Sequence, residues 1–421
     1  MPLRVKRQQG KRWVKSSLLT MSSDKRSANP LRGFPLEVQI LIVASFFVAV
    51  GFGIVMPAIP VFAKSFGVNN ASIGLIVSAF AIARFASGLI SGKLVDRFGE
   101  RIVFSVGVAM VAISTLLAGL AQNYHQLLIF RSAGGLGSSM FSVAAGSVIM
   151  RAVDDDHRGR AQSVYNGAFL IGGIAGPAIG GALSIISLRA PFFAYSITLI
   201  CSGLIAGKYL KSSTLTADHE NDTTDSQMKI SKAIKLAPYR IALVMAFIGS
   251  WALFGLRSSI LPLFVTESLH SSTAVVGYGF TLAALFQGSL LLQAGKTSDI
   301  RGRKYVSLIG TSIVMVGIVI LILSVHPWMY LFSMVIMGAG TAFIATVPAS
   351  IVGDILEGRG GQVIALFQMA GDAGMMVGPI VVGAISDVYS YRTAFIATAV
   401  IFAISIILSA RLPETRKSHL Q

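Results

Sequence analysis

Gly92-Lys93-Leu94-Val95-Asp96-Arg97-Phe98-Gly99-Glu100-Arg101 follows one long apolar run, and Gly295-Lys296-Thr297-Ser298-Asp299-Ile300-Arg301-Gly302-Arg303-Lys304 follows another, 203 residues later. Both stretches hold a Gly, an Asp and a second Gly in the same register, with basic residues around them. A charged turn between apolar runs, repeated half a chain apart, predicts a membrane protein built from two like halves.

Composition sets the class. Of 421 residues, 54% are hydrophobic and only 13% charged, and the mean hydropathy is +0.73. A soluble domain needs more charge than this to cover its surface. A spanning helix needs ~20 mostly apolar residues, and runs of that kind fill the chain. The spans read from the sequence are 38–62, 71–92, 101–121, 125–150, 161–185 and 190–210, then 238–266, 272–295, 305–325, 328–352, 362–386 and 391–411. The first run is too long for a cleavable leader and reads as the first helix. Cys201 is the one cysteine, so no intrachain disulfide forms; inside an apolar run it reads as a small packing residue.

The formal net charge of +17 does not mark a nucleic-acid surface, because the basic residues fall in alternate loops. One side receives Arg4 through Arg32, then Lys93, Arg97, Arg101, Arg151, Arg158, Arg160, the Lys208–Arg240 group, Lys296 through Lys304, Arg359 and Arg411. The other receives only Lys64, Arg189 and Arg392. Positive charge marks the cytoplasmic side, so both termini are expected in the cytoplasm of a multi-pass cell-membrane protein. The basic N-terminal tail reads as unstructured chain able to touch anionic lipid.

The division expected is a tail over 1–35, a six-helix bundle over 36–210, a polar cytoplasmic linker over 211–236, a second bundle over 237–412 and a tail over 413–421. The repeat extends beyond the opening loops. Gly53 and Pro60 correspond to Gly255 and Pro262, Gly135 and Gly137 to Gly338 and Gly340, and Gly172-x-x-x-Gly176-Pro177 to Gly374-x-x-x-Gly378-Pro379, all 202 or 203 residues apart. Halves of six helices share one orientation, so their axis lies along the membrane normal. A solute site then falls in the cleft between them.

At this point the chain resembles the major facilitator superfamily over nearly its whole length. Gly92, Leu94, Asp96, Arg97, Gly99 and Arg101 match the signature G-x-L-x-D-R-x-G-R-R/K, with Glu100 where a basic residue is usual. Arg131-x-x-Gly134-Gly135-x-Gly137 is similar to R-x-x-Q-G-x-G, with Gly134 for the glutamine. Gly172-x-x-x-Gly176-Pro177-x-x-Gly180-Gly181 resembles the signature associated with antiporters, especially drug and metabolite exporters, with Ser163 in place of its upstream glycine. The resemblance implies an all-α polytopic protein, twelve transmembrane helices in two pseudo-symmetric six-helix bundles. It also implies that the second helix faces the eleventh and the fifth faces the eighth.

The residues suggest roles within that frame. Gly92 and Gly99 are expected to form a tight turn. Asp96 is expected to accept bonds from the N-terminus of the eleventh helix and, with Arg97 and Arg101 holding it or lipid phosphates, to lock one face; Gly295, Asp299, Gly302 and Arg303 repeat that loop. The glycines Gly172, Gly176, Gly180, Gly181, Gly374 and Gly378, with Pro177 and Pro379, are expected to form close, bendable packing between rocking halves. Charges inside spans are costly and usually functional: these are Arg84, Arg131, Arg257 and Asp372. Arg84 and Asp372 fall at the same depth and are expected to pair across the halves and couple to protons. Arg131 and Arg257 are expected to bind an anionic group, relay charge or pair with Glu267 or Asp372. Trp251, Phe254, Met334, Met337, Asn166, Gln287 and Gln368 are candidates for the cavity wall.

The function expected is secondary active transport by alternating access: proton-coupled efflux of a small amphipathic molecule or metabolite, as in multidrug resistance. The alternative is a proton-coupled or facilitative metabolite importer of the same fold. A sensor retaining the transporter fold lacks an added soluble domain. No His-Glu-x-x-His or phosphate-binding G-x-x-x-x-G-K-[ST] occurs, which argues against a metalloenzyme or an ATP-driven pump. The chain is expected to act as a monomer with solute, protons and lipid as partners, and without cofactor or metal.

Overall fold

The computed structural model describes residues 34–152, 155–210, 230–355 and 361–415. Among these, twelve helices are long and apolar enough to cross a membrane. They are α1 (Leu36–Val55), α2 (Asn70–Phe98), α3 (Glu100–Leu120), α4 (Tyr124–Ile149), α5 (Gly167–Ile186) and α6 (Ala190–Tyr209), followed by α7 (Ala237–Ser268), α8 (Thr273–Arg301), α9 (Arg303–Ile322), α10 (Pro327–Ile355), α11 (Val363–Val388) and α12 (Tyr391–Ala410).

The helices form two six-helix bundles with separate cores. Phe104, Phe141 and Phe192 belong to the first core. Phe280, Tyr330, Phe395 and Phe402 belong to the second. A smaller cluster around Tyr239, Val306 and Val363 closes one end of the second bundle. Lipid tails are as apolar as leucine, so close backbone approach, not hydrophobicity, drives helix pairing here. The repeated glycines supply it. A Cβ on Gly107 would meet Gly137 at 2.8 Å, and one on Gly340 would meet Gly310 at 2.9 Å. Each pair joins the third and fourth helices of its own half.

Three spans are less regular than hydropathy suggests. The first apolar run breaks at Met56–Pro57, and a separate helix, Ala58–Lys64, completes it. α10 breaks after Ile344 and restarts at Val347, where Pro348 supplies no N–H. In α7, Trp251–Ile260 is wound as a π-helix; the Leu261 N–H reaches back to the Leu256 carbonyl. Pro262 removes the next donor, and the Ser258 hydroxyl donates to the Leu253 carbonyl at 2.7 Å.

The linker and C-terminal tail are also more ordered near the membrane than expected. Ile230–Lys235 is helical, with Ala233 fully buried. Glu414 and Thr415 dock against the bundle. Residues 1–33, 211–229 and 416–421 lie outside the described residues. An even number of spans puts the start of α1 and the end of α12 on one face, called here the terminal face.

Candidate functional site

Gly99 (φ 79°) turns the chain from α2 into α3, and Gly302 (φ 94°) turns it from α8 into α9. Both lie in the left-handed region that glycine tolerates best. Gly92 and Gly295 are inside helices instead, so the expected turn at Gly92 is not there; a Cβ on either would meet nothing within 4 Å. The docking expected of Asp96 on α11 is not made in this conformation. Asp96 is exposed and has no hydrogen-bond or ion-pair partner among the described residues. Arg97 lies 5.3 Å from the Phe98 ring. Arg101 donates from Nε (2.9 Å) and Nη2 to the Gly207 carbonyl near the end of α6, so it ties its own bundle together rather than holding Asp96.

The corresponding motif in the second half is closed on itself. Arg303 reaches Asp299 at 2.7 Å and Asp354 at 3.0 Å. Glu414 accepts from the Arg303 and Lys304 N–H groups at 2.9 and 3.4 Å, placing a carboxylate at the N-terminus of α9, where the helix dipole favours it. Glu100 occupies the position equivalent to Arg303. It is fully buried and accepts from the Ser147 hydroxyl at 3.1 Å.

Near mid-membrane, Arg84 donates to the Ser138 hydroxyl of α4 at 2.9 Å. The direct Arg84–Asp372 ion pair expected from the sequence is not formed within contact distance; Arg84 is exposed and Asp372 half-buried. Arg131 is 5% exposed, its Nε has no hydrogen-bond partner, and its guanidinium lies 4.7 Å from the Phe80 ring centroid. Arg257, in the π-helical part of α7, repeats the arrangement: its Nε is unpartnered and it lies 5.1 Å from the Phe280 ring. Neither arginine pairs with Glu267 or Asp372.

The expected cavity wall is only partly right. Trp251, Met334 and Met337 are buried in the core of the second bundle, and the Trp251 Nε1 faces the Thr398 hydroxyl of α12 at 3.4 Å. Phe254 and Gln287 are half-buried, and Gln368 is exposed. The side chain of Asn166 lies outside those described.

The helix-packing glycines do two separate jobs. Gly172, Gly176 and Gly180 press on α1 at Ala49, Val50, Gly53 and Ile54. Gly374 and Gly378 press on α7 at Phe247, Trp251 and Gly255. These contacts are inside the bundles, not between them as expected. The crossing contacts lie further along. A Cβ on Gly277 of α8 would fall 2.3 Å from the Pro177 carbonyl oxygen, and one on Gly74 of α2 would fall 2.1 Å from that of Pro379. Gly181 and Gly383 extend the two seams against Thr273 and Asn70. The pattern is pseudo-symmetric: α5 meets α8 as α11 meets α2.

These seams hold the bundles together on the face opposite the chain ends. A polar latch, which sequence reasoning missed, reinforces one of them. The Asp387 carboxylate at the end of α11 accepts the N–H groups of Asn70 and Ala71 in the first turn of α2, both at 2.8 Å. The Asn70 amide donates to the Ser386 hydroxyl at 3.0 Å. Lys64 lies 3.1 Å from the Asn70 amide oxygen and 3.6 Å from Glu267, and the Tyr391 hydroxyl donates to Glu267 at 2.6 Å. Charge-assisted bonds of this kind are stronger than neutral ones. Toward the terminal face, an added Cβ on Gly88 or Gly92 of α2 or on Gly295 of α8 would meet nothing within 4 Å, while Gly288 of α8 still contacts Leu170 and Ile174 of α5 through side chains. The seam is therefore tight at one end and looser toward the other.

The family model described as Major Facilitator Superfamily matches residues 41–260 and 243–421. An uncharacterized MFS-type transporter of Methanocaldococcus jannaschii is 24% identical over 381 residues, covering 89% of this chain and 97% of the relative. Quinolone resistance protein NorA of Staphylococcus aureus (strain MRSA252) is 23% identical over 377 residues, covering 87% of this chain and 94% of NorA. Among solved structures, an inward-facing, unoccupied bacterial homolog of the human lysosomal transporter Spinster is similar with a TM-score of 0.75 and 16% identity, over 90% of this chain and 98% of that one. The peptide transporter POT gives a TM-score of 0.71 with 15% identity, over 91% and 96%. With its relatives transporters rather than enzymes, and with the repeated halves and one-sided seam seen here, the chain belongs to the major facilitator superfamily.

Proposed function

We propose that the protein is a secondary active transporter that exports a small amphipathic molecule in exchange for protons by alternating access. The observation that carries this reading is the seam: latched by Asp387 on one face, with Gly88 and Gly92 of α2 and Gly295 of α8 uncontacted toward the other. The excess of positive loops puts the looser face toward the cytoplasm, so the conformation is one that loads solute from inside the cell. The similarity to NorA, together with the antiporter-like glycine motif of α5, supports export.

Coupling is assigned to Arg84 and Asp372. A carboxylate and a cation inside the membrane, one on each bundle, suit a switch: they pair in one state of the cycle, and protonation removes the attraction and frees the halves to move. Asp96 and the N-terminus of α11 meet in the opposite, outward-open state, replacing the latch that Asp387 provides here. One chain forms the complete pathway.

The test is transport in liposomes holding the purified protein under an imposed pH gradient, with solute and proton movement followed together. The Asp372→Asn variant should insert normally and lose gradient-driven transport. Unchanged gradient-driven transport by that variant would remove Asp372 from the coupling step. Absence of proton movement with the native protein would remove the antiport reading altogether.

A further inference from the structure

We propose that the solute taken up in this cleft is an organic anion, a carboxylate or similar acid. The inference rests on the transport reading above and names the substrate class of that same site. Among the described residues, four charged side chains stand well inside the spans, and their charges do not balance. Arg84, Arg131 and Arg257 are cationic, and Asp372 is the one carboxylate among them. Arg84 is exposed, but Arg131 is buried and the Arg257 Nε is buried; charges shielded in this way are ordinarily paired, so these two require an account.

The partners the arginines do have are neutral. Arg84 bonds to a serine hydroxyl. Arg131 is 95% removed from solvent, yet it makes no hydrogen bond among the described residues; its Nε is buried and unpartnered. Arg257 also has a buried, unpartnered Nε. Each rests on a phenylalanine face, Phe80 and Phe280. A ring face attracts a guanidinium but gives its N–H groups no acceptor, so it offsets desolvation only in part. Glu267, at the end of α7, is held by Lys64 and Tyr391 on the far face.

The two arginines come from different bundles. Arg131 lies on α4 and Arg257 on α7. Arg131 rests on Phe80 of α2, the helix whose Gly74 meets α11 across the seam. α7 also packs against α2 across the seam. An anion entering between the bundles would give these guanidinium groups the acceptor that their phenylalanine neighbours cannot. Planar bidentate binding of a carboxylate is what a guanidinium does best.

Binding to the full-length protein in lipid nanodiscs tests this with three probes of one shape: 1-naphthoate, neutral 1-naphthamide and cationic 1-naphthylmethylammonium. The anion should raise the melting temperature and bind about tenfold or more tightly than either isostere. Arg131→Gln and Arg257→Gln should each weaken naphthoate by about tenfold, with Arg→Lys at either position intermediate. Preferred binding of the cation, or no naphthoate binding at millimolar concentration, overturns the inference; the comparison on the native protein stands even if a variant misfolds. Movement of the cationic probe alone through liposomes would leave transport standing and sink the anion assignment. Naphthoate binding with no probe crossing the membrane would support the anion assignment and sink the transport reading.

Discussion

Both oxygens of Asp387 are tied to the backbone of Asn70 and the residue after it, 2.8 Å from each N–H, across 317 residues of chain. α2 thus begins with its free N–H groups capped by a carboxylate from the other bundle. The helix dipole strengthens such a cap, worth about 1–2 kcal/mol when partly shielded.

Replacing Asp387 with Asn removes the charge and one acceptor. A loss of ~1–2 kcal/mol shifts a two-state equilibrium by a factor of about 5–30. Spin labels at Ser65 and Tyr389, in a Cys201→Ser background, should report a larger population with the latched face open. An unchanged distance distribution would mean the glycine seams alone keep that face shut.

Gly74→Ala and Gly277→Ala place a methyl group against the carbonyl oxygens of Pro379 and Pro177. Backbone cannot yield as a flexible side chain does, so each substitution should pry its seam open, lowering thermal stability and biasing the same label distances outward. Gly88→Ala meets open space in this conformation. It should leave the melting temperature unchanged and still slow turnover, because the terminal face has to close during the cycle. Equal behaviour of Gly74→Ala and Gly88→Ala would contradict the one-sided seam.

Arg303 joins α8, α9 and the end of α10 through Asp299 and Asp354, with side-chain exposures of 12% for Arg303 and 18% for Asp354. Arg303→Ala leaves Asp354 poorly paired and should lower stability by about 2 kcal/mol. Glu414→Gln, which weakens only the cap on α9, should lower it by about 0.5–1 kcal/mol. Thermal melts in detergent rank the two. If Asp354→Ala combined with Arg303→Ala costs the full sum of the single effects, the pair is not coupled.

Much of the architecture could be read from the amino-acid order because its signals are local. Gly99 and Gly302 are needed for a positive φ, and apolar length marks the spans. The constant spacing of Gly53, Gly176 and Pro177 from Gly255, Gly378 and Pro379 exposes the duplication. The direction in which an apolar side chain points is not local in a membrane: lipid, cavity wall and bundle core all accept Met334 or Trp251, so hydropathy cannot choose among them. The wide turn around Arg257 is a choice of backbone register that residue periodicity does not carry. Asp387 reads only as a polar residue ending a span, since its partner is on the other half of the chain. The sequence suggests that Arg101 holds Asp96 or lipid phosphate, but its guanidinium is taken by the Gly207 carbonyl near the end of α6, a partner 106 residues away.

The residue 202 positions before Asp387 is Ile185, 65% exposed, although Gly181 and Gly383 are equivalent neighbours of both. The duplicated halves are therefore no longer interchangeable. A chain assembled from two copies of residues 36–210 would keep the glycine contacts and lose every capping carboxylate, while two copies of the second half would carry a pair of them. Whatever ancestor fused two like units, its descendant has divided the labour of opening between an oily edge and a charged one.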